Sequence, residues 1–211
     1  MPLLPPIDQL LRRCRALAAL DLILSPDWQY RYYSFDSRWS EGQLMASMRD
    51  GCGDEWWIVF HRSGWAALKG LGHESPAWSQ HRDRLSSALQ RAIPTDLTGF
   101  STEPAFRWDT TSFAYYHSAD AAAWIRVNDI TAYSSADAGD AQLLAHLVGQ
   151  PSDYATFAAD YYETDVDERI VAEVFSLQPI TTTILSSLNP STSLQELSEE
   201  LYGQIQYPNV A

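Results

Sequence analysis

The chain is poor in cysteine, in basic side chains and in long apolar runs. Its 211 residues include two Cys, and 14 Lys and Arg stand against 27 Asp and Glu, for a formal net charge of −13. Cys14 and Cys52 form no CxxC pattern, so no redox or zinc motif is indicated. Two free thiols are expected, as in a reducing compartment. No run reaches the ~18 apolar residues of a membrane span. The opening Met1-Pro2-Leu3-Leu4-Pro5-Pro6 leads into a stretch interrupted by Arg12, Arg13 and Arg15. That pattern does not read as a signal peptide, and a cytoplasmic location is expected.

The shortage of basic charge is local. Residues 1–99 carry eleven basic and eleven acidic side chains, whereas residues 100–211 carry sixteen acidic ones against Arg107, Arg126 and Arg169. Nucleic-acid binding needs a cationic footprint to neutralise phosphates. Anionic lipid surfaces likewise attract polybasic segments. Neither nucleic acid nor membrane is therefore an expected partner, with the exclusion firmer for the second half than for the first, where Arg12, Arg13 and Arg15 share one helix. A basic protein is the partner that the charge favours.

What is present is ordinary globular material: 45% hydrophobic and 12% aromatic residues, with eight Trp. Large aromatic side chains anchor cores. The length fits a single α+β domain over 1–211, with a neutral sheet-rich part (1–99) and an acidic, mainly helical part (100–211).

Ile7, Leu10, Leu11, Cys14, Leu17 and Ala18 recur at helical spacing and predict a helix over 7–23, stopped by Ser25-Pro26. Strand-like runs follow at Tyr30–Trp39, Gln43–Arg49, Glu55–His61 and Trp65–Leu71, separated by glycine-containing turns, so an antiparallel meander is expected. A helix over 84–93 ends at Pro94, and 94–112 reads as a long connection. Two more short strands are expected at Phe113–His117 and Ala122–Val127. Beyond residue 136 the period becomes helical: one helix ends near Gly149, and others span Pro151–Glu163 (capped by Ser152 or Asp153), Asp167–Leu177, Ile180–Leu188 and Ser191–Gln204. In the last, Ser193 and Glu196 are spaced as a capping box. The architecture expected is an N-terminal helix, a mostly antiparallel sheet and a helical C-terminal portion.

Chemical motifs are few. The five histidines form neither HxH nor HExxH, and GxSxG, Walker A and GxGxxG are absent. His73-Glu74 is the one acid–base candidate, since a carboxylate can tune an imidazole. In that reading His61 or His117 is brought near by the sheet. The turn Asp50-Gly51-Cys52-Gly53-Asp54-Glu55 gathers carboxylates but lacks the calcium-loop pattern, and a hairpin accounts for its glycines. No cofactor and no metal is expected. The densest charge lies at Asp160, Tyr161, Tyr162, Glu163, Asp165, Asp167 and Glu168. Carboxylates interleaved with tyrosines suit capture of a basic protein, and these seven are the candidate contact residues.

Several strings together carry a family likeness: Met45-Ala46-Ser47-Met48-Arg49-Asp50-Gly51-Cys52-Gly53-Asp54-Glu55, Lys69-Gly70-Leu71-Gly72-His73-Glu74-Ser75, Glu103-Pro104-Ala105-Phe106, Tyr161-Tyr162-Glu163, Leu188-Asn189-Pro190 and Ile205-Gln206-Tyr207-Pro208. Over roughly residues 28–208 the chain resembles a family of uncharacterised bacterial cytosolic proteins. The resemblance implies a setting and no chemistry. In size, charge and lack of a catalytic motif the chain is also analogous to acidic immunity proteins that neutralise bacterial toxins. The function expected is non-enzymatic binding of a basic protein. The alternatives are a hydrolase or transferase at His73 and Glu74, or a small-molecule-binding regulatory domain with an aromatic pocket between sheet and helices.

Overall fold

The computed structural model describes residues 4–133 and 137–209. Helix α1 (Ile7–Leu24) starts after Pro6, buries Leu10, Cys14, Leu17, Ala18 and Asp21, and stops at Ser25. A 3₁₀ turn at Trp28–Tyr30 follows, so the first strand begins at Tyr33 and not at Tyr30. Six antiparallel strands then pair in sequence order: β1 (Tyr33–Ser40), β2 (Gln43–Arg49), β3 (Glu55–His61), β4 (Ala66–Leu71), β5 (Phe113–His117) and β6 (Ile125–Arg126). Turns at Gly42, Gly51–Gly53 and Gly64 supply the positive φ that the hairpins need.

The register sorts the side chains onto two faces, because directly paired residues point the same way. Tyr33, Met48, Trp56, Gly70 and Phe113 lie in one row, with Phe35, Ala46, Ile58, Leu68 and Tyr115 beside it. Asp21 of α1 accepts the amides of Tyr32 and Tyr33, so the end of α1 is pinned to the start of β1. The opposite face carries Trp57 and the fully buried Lys69. Phe106 covers it, stacking on Trp39 and packing on Trp57. Gly70 has no substitute in this row: a Cβ there would stand 2.1 Å from the Phe113 ring.

Helix α2 (Pro76–Ala92) starts eight residues earlier than its apolar spacing suggests. Ser75 is its N-cap, accepting the Trp78 amide, and Pro76 occupies the first turn. The first half of this helix is solvated, so it has no apolar stripe to betray it. Residues 94–112 are not an open connection. They wind through short turns that bury Leu97, Phe100, Phe106 and Trp108.

The C-terminal part is helical as expected, in shorter pieces. The segment ending at Gly149 is two turns, α3 (Asp140–Leu143) and α4 (Ala145–Val148), broken at Leu144. Helix α5 (Pro151–Tyr161) is capped from within, Asp153 accepting the Gln150 amide at 2.6 Å, with Gln150 and not Ser152 or Asp153 in the cap position. Helices α6 (Glu168–Phe175) and α7 (Thr182–Leu188) are capped by Asp167 and Thr181. Helix α8 (Leu194–Ser198) opens on the Ser193/Glu196 capping box and continues as a π-helical turn at Glu199–Gln204. One buried cluster runs from Leu4 to Tyr207 and draws on both halves of the chain. Among the described residues no helix is long and apolar enough to cross a membrane.

Candidate functional site

The site is built on a buried carboxylate. Asp21 sits in the last turn of α1 with no exposure. It accepts four hydrogen bonds from neutral donors: the amides of Tyr32 (3.0 Å) and Tyr33 (2.6 Å) and the hydroxyls of Tyr154 (2.6 Å) and Tyr162 (2.7 Å). Burial pushes its carboxyl up to about 6, although all four donors pull it down. This hub ties α1, β1 and α5 together. It also draws Tyr162 inward.

Tyr161 is thereby left facing outward. Its ring is 40% exposed and packs on Tyr32, Phe157 and Tyr162 at 4.9–5.3 Å between centroids. The chain then reverses at Glu163, which adopts a left-handed φ of 52°. Asp160, Glu163, Asp165, Asp167 and Glu168 are all exposed. Tyr162 is the exception among the seven expected contact residues. Its hydroxyl is committed to Asp21, so it positions Tyr161 and offers little surface of its own. Asp167 also has a structural duty, accepting the Arg169 amide at 2.9 Å.

The structure adds residues that the spacing did not single out. Trp28 and Tyr30 are 52% and 63% exposed. The Arg49 guanidinium lies 4.2 Å from the Trp28 ring, and the Arg49 amide bonds the Tyr32 carbonyl. Tyr32 in turn meets Tyr161, so Trp28, Arg49, Tyr32 and Tyr161 form one continuous line. Asp50 lies beside it, close enough that its charge raises both the Tyr32 and Tyr161 phenols after burial. The sequence signal was Asp27-Trp28-Gln29-Tyr30: two aromatics after a helix stop and outside strand alternation.

The acid–base candidate is arranged differently from expectation. His73 Nδ1 pairs with Asp54 Oδ1 at 2.8 Å, and the same oxygen accepts the His73 amide. Glu74 lies 3.9 Å from Nε2 with its side chain 89% exposed. The hydrogen bond to Asp54 raises the imidazole, partly offset by desolvation. Asp54 is therefore the closer partner of His73, with Glu74 on the opposite ring nitrogen. His61 and His117 do not join them. Both stand at the far ends of β3 and β5, where Phe60 and His117 flank Ala66, while His73 follows the other end of β4. A seven-residue strand separates the two ends by roughly 20 Å. His61 stacks on Trp65, and His117 meets Trp124. Asp50 accepts the amides of Cys52, Gly53 and Asp54, which closes the hairpin turn. Both cysteines are free thiols, Cys14 buried and Cys52 exposed.

Two other polar clusters lie inside the sheet layers. Lys69, fully buried, bonds Glu55 at 3.2 Å, and Glu55 also holds Arg107 at 3.1 Å. Arg126 grips Asp140 at 2.8 Å and Asp129 at 3.1 Å, while the Tyr115 hydroxyl bonds Asp140. Each joins a strand to the segment packed on it.

No family model matches the chain, and neither do any curated protein or solved structure.

Proposed function

We propose that this is a non-enzymatic cytosolic protein that binds a basic protein partner through the Tyr161 face. The observation that carries this reading is the run of exposed aromatics beside acidic side chains. Trp28 and Tyr161, two of the large hydrophobic side chains left exposed, are joined through Arg49 and Tyr32 with Asp50 beside them, and the exposed Asp160, Glu163 and Asp165 adjoin Tyr161 along the chain. Aromatic anchors inside a charged rim are the usual composition of a protein-binding patch. The net charge of the second half adds long-range attraction, which speeds encounter with a cationic surface and weakens as salt rises. An immunity-like role, in which an acidic chain neutralises a basic toxin in a bacterial cytosol, belongs to the same proposal.

The test is titration with a decalysine peptide, followed by amide and indole chemical shifts at low and high salt. Salt-sensitive shifts at Trp28, Tyr32 and Tyr161 are expected. Reversing charge at Asp160, Glu163 and Asp165 to Lys should slow association by about tenfold or more. Decalysine that leaves Tyr161 unmoved, or binds the charge-reversed chain equally well, sinks the proposal.

A second reading, hydrolysis or group transfer at His73, has one observation in its favour. The His73–Asp54 pair borders a cleft of about 210 Å³ lined by Asp54, Glu74, Ser75 and Asp137. The nearest hydroxyl in that lining, Ser75, already accepts the Trp78 amide as a helix cap. A His73→Ala chain that keeps partner binding but loses a hydrolytic activity would establish this reading over the first.

A further inference from the structure

The four donors on Asp21 are shared unequally between its oxygens. Oδ2 accepts the amides of Tyr32 and Tyr33 and the Tyr162 hydroxyl, whereas Oδ1 accepts the Tyr154 hydroxyl alone. The Tyr32 amide also donates to Tyr162 Oη at 3.1 Å, which closes the cluster on itself. No cation is among these partners. Arg31, next to Tyr32 in the chain, is taken up by Glu200 and by the carbonyls of Ser25 and Pro26. A buried carboxylate without a counter-charge takes up a proton more readily than a solvated one.

Once protonated, the carboxyl must donate, and in this cluster only a hydroxyl oxygen can accept, since both amides are donors. Two hydroxyls qualify. Tyr154 has no exposure and no hydrogen-bond partner besides Asp21 among the described residues. If it accepted, its own proton would be stranded in the core. Tyr162 is half-buried and is followed by the exposed, left-handed Glu163 at the end of α5. There a displaced phenolic proton can pass to water. The bond to Tyr162 also weakens on protonation, because a hydrogen bond to an ionised acceptor is about twice as strong as a neutral one. Tyr162 is thus the member of the cluster that yields. Its ring stands edge-on to Tyr161 at 4.9 Å between centroids, so its movement is felt there first.

We propose that Asp21 is a proton-operated latch on the Tyr161 face: proton uptake frees Tyr162, the Tyr161 ring shifts with it, and the face loses grip on a basic partner. The last step rests on the binding role proposed above; the first two do not. Other titratable groups surround the latch. β1 brings Tyr32 and Tyr33, and α4 brings His146, whose Nδ1 bonds the Tyr33 hydroxyl at 2.6 Å and whose imidazole is lowered by burial. Within α1, burial raises the Cys14 thiol, and Arg13 is turned to the carbonyls of His146 and Gly149. α6 packs along α1 through Val171 and Val174 and keeps Glu168, Arg169 and Glu173 exposed, while α7 carries no titratable side chain. Asp50 and Asp54 of the β2–β3 hairpin act on Tyr32 by charge, and Asp50 acts on Tyr161 too. His146 and Asp50 are therefore the groups from which Asp21 must be told apart.

The experiment is an NMR titration of the full, unmutated chain between mild acid and neutral pH. It follows the side-chain carboxyl carbons of Asp21 and Asp50 and the ring signals of Tyr161 and His146. Asp21 and Tyr161 are expected to share one midpoint, at about 6. Tyr161 signals that stay flat while Asp21 titrates, or that follow Asp50 or His146 instead, overturn the latch. So does an Asp21 carbon that titrates with the exposed carboxylates. Tyr162→Phe should cut the link, leaving Asp21 to titrate while Tyr161 stays flat, and the unmutated chain decides the matter if that variant fails to fold. Decalysine affinity of the natural chain should fall by about fivefold or more across the same transition, beyond any fall in Tyr162→Phe. An equal fall in both chains overturns the control of binding. Decalysine that never binds the natural chain sinks the binding role, whereas the latch is decided by the shared midpoint.

Discussion

Asp21 and Asp140 are both buried carboxylates, at opposite edges of one sheet, and they are accommodated by different chemistry. Asp140 faces a full counter-charge, bonding Arg126 through both its oxygens at 2.8 and 3.2 Å. Asp21 meets neutral amides and hydroxyls, and burial dominates, leaving its carboxyl at about 6. An ion pair offsets desolvation by Coulombic attraction and charge-assisted hydrogen bonds. Neutral donors cancel only part, and the remainder appears as a raised affinity for a proton. One edge of the sheet is therefore held by charge and the other by a carboxyl that burial pushes up to about 6.

Removing a partner from the ionic edge should cost most. Asp140→Ala removes the carboxylate that Arg126 holds through both oxygens, and a loss of about 3 kcal/mol in urea unfolding is expected. A loss below about 1 kcal/mol would show that the pair contributes little. Asp21→Asn replaces one of two acceptor oxygens by a donor: with its carbonyl kept on the Tyr32 and Tyr33 amides, the new NH2 faces the Tyr154 hydroxyl. About 2 kcal/mol should be lost by the same measurement.

Acid titration sharpens the contrast further. Native Asp21 holds its proton up to about 6, whereas the unfolded carboxyl releases it near 3.8. The stability this proton confers is full below about pH 4 and disappears as pH rises through about 6. The stability difference between the natural chain and Asp21→Asn should thus shrink from pH 4 to pH 7, by about 2 kcal/mol. A pH-independent difference would contradict the raised carboxyl. Tyr162→Phe removes one of four donors, so a loss of about 1 kcal/mol is expected, together with altered Tyr161 fluorescence.

Much of this frame is legible along the chain. β2 and β3 fall at the bounds that their strand-like runs and the turns between them suggest, because sheet register and local turn chemistry agree there. The break at Leu144 and the early start of α2 leave no apolar trace, since one is a local dihedral choice and the other a solvated face. Asp21 could be suspected, standing four residues after Leu17 on the apolar stripe of α1. Its partners Tyr154 and Tyr162 lie more than 130 residues away, and no local period announces such a contact. The acidic patch was visible as composition, but the inward turn of Tyr162 and the outward turn of Tyr161 follow from that distant carboxylate alone.

The sheet's outer strands bear on how any partner can be held. β6 is two residues long, and β1 loses register between Asp36 and Ser40. The π-helical turn closes on β1, with Arg38 of the strand 3.5 Å from Glu199. Short, irregular or covered outer strands offer no extended ladder of amides and carbonyls to an incoming chain. Recognition by strand addition is disfavoured at both borders. A partner is left to read side chains, so its specificity resides in rings and charges and not in backbone pairing.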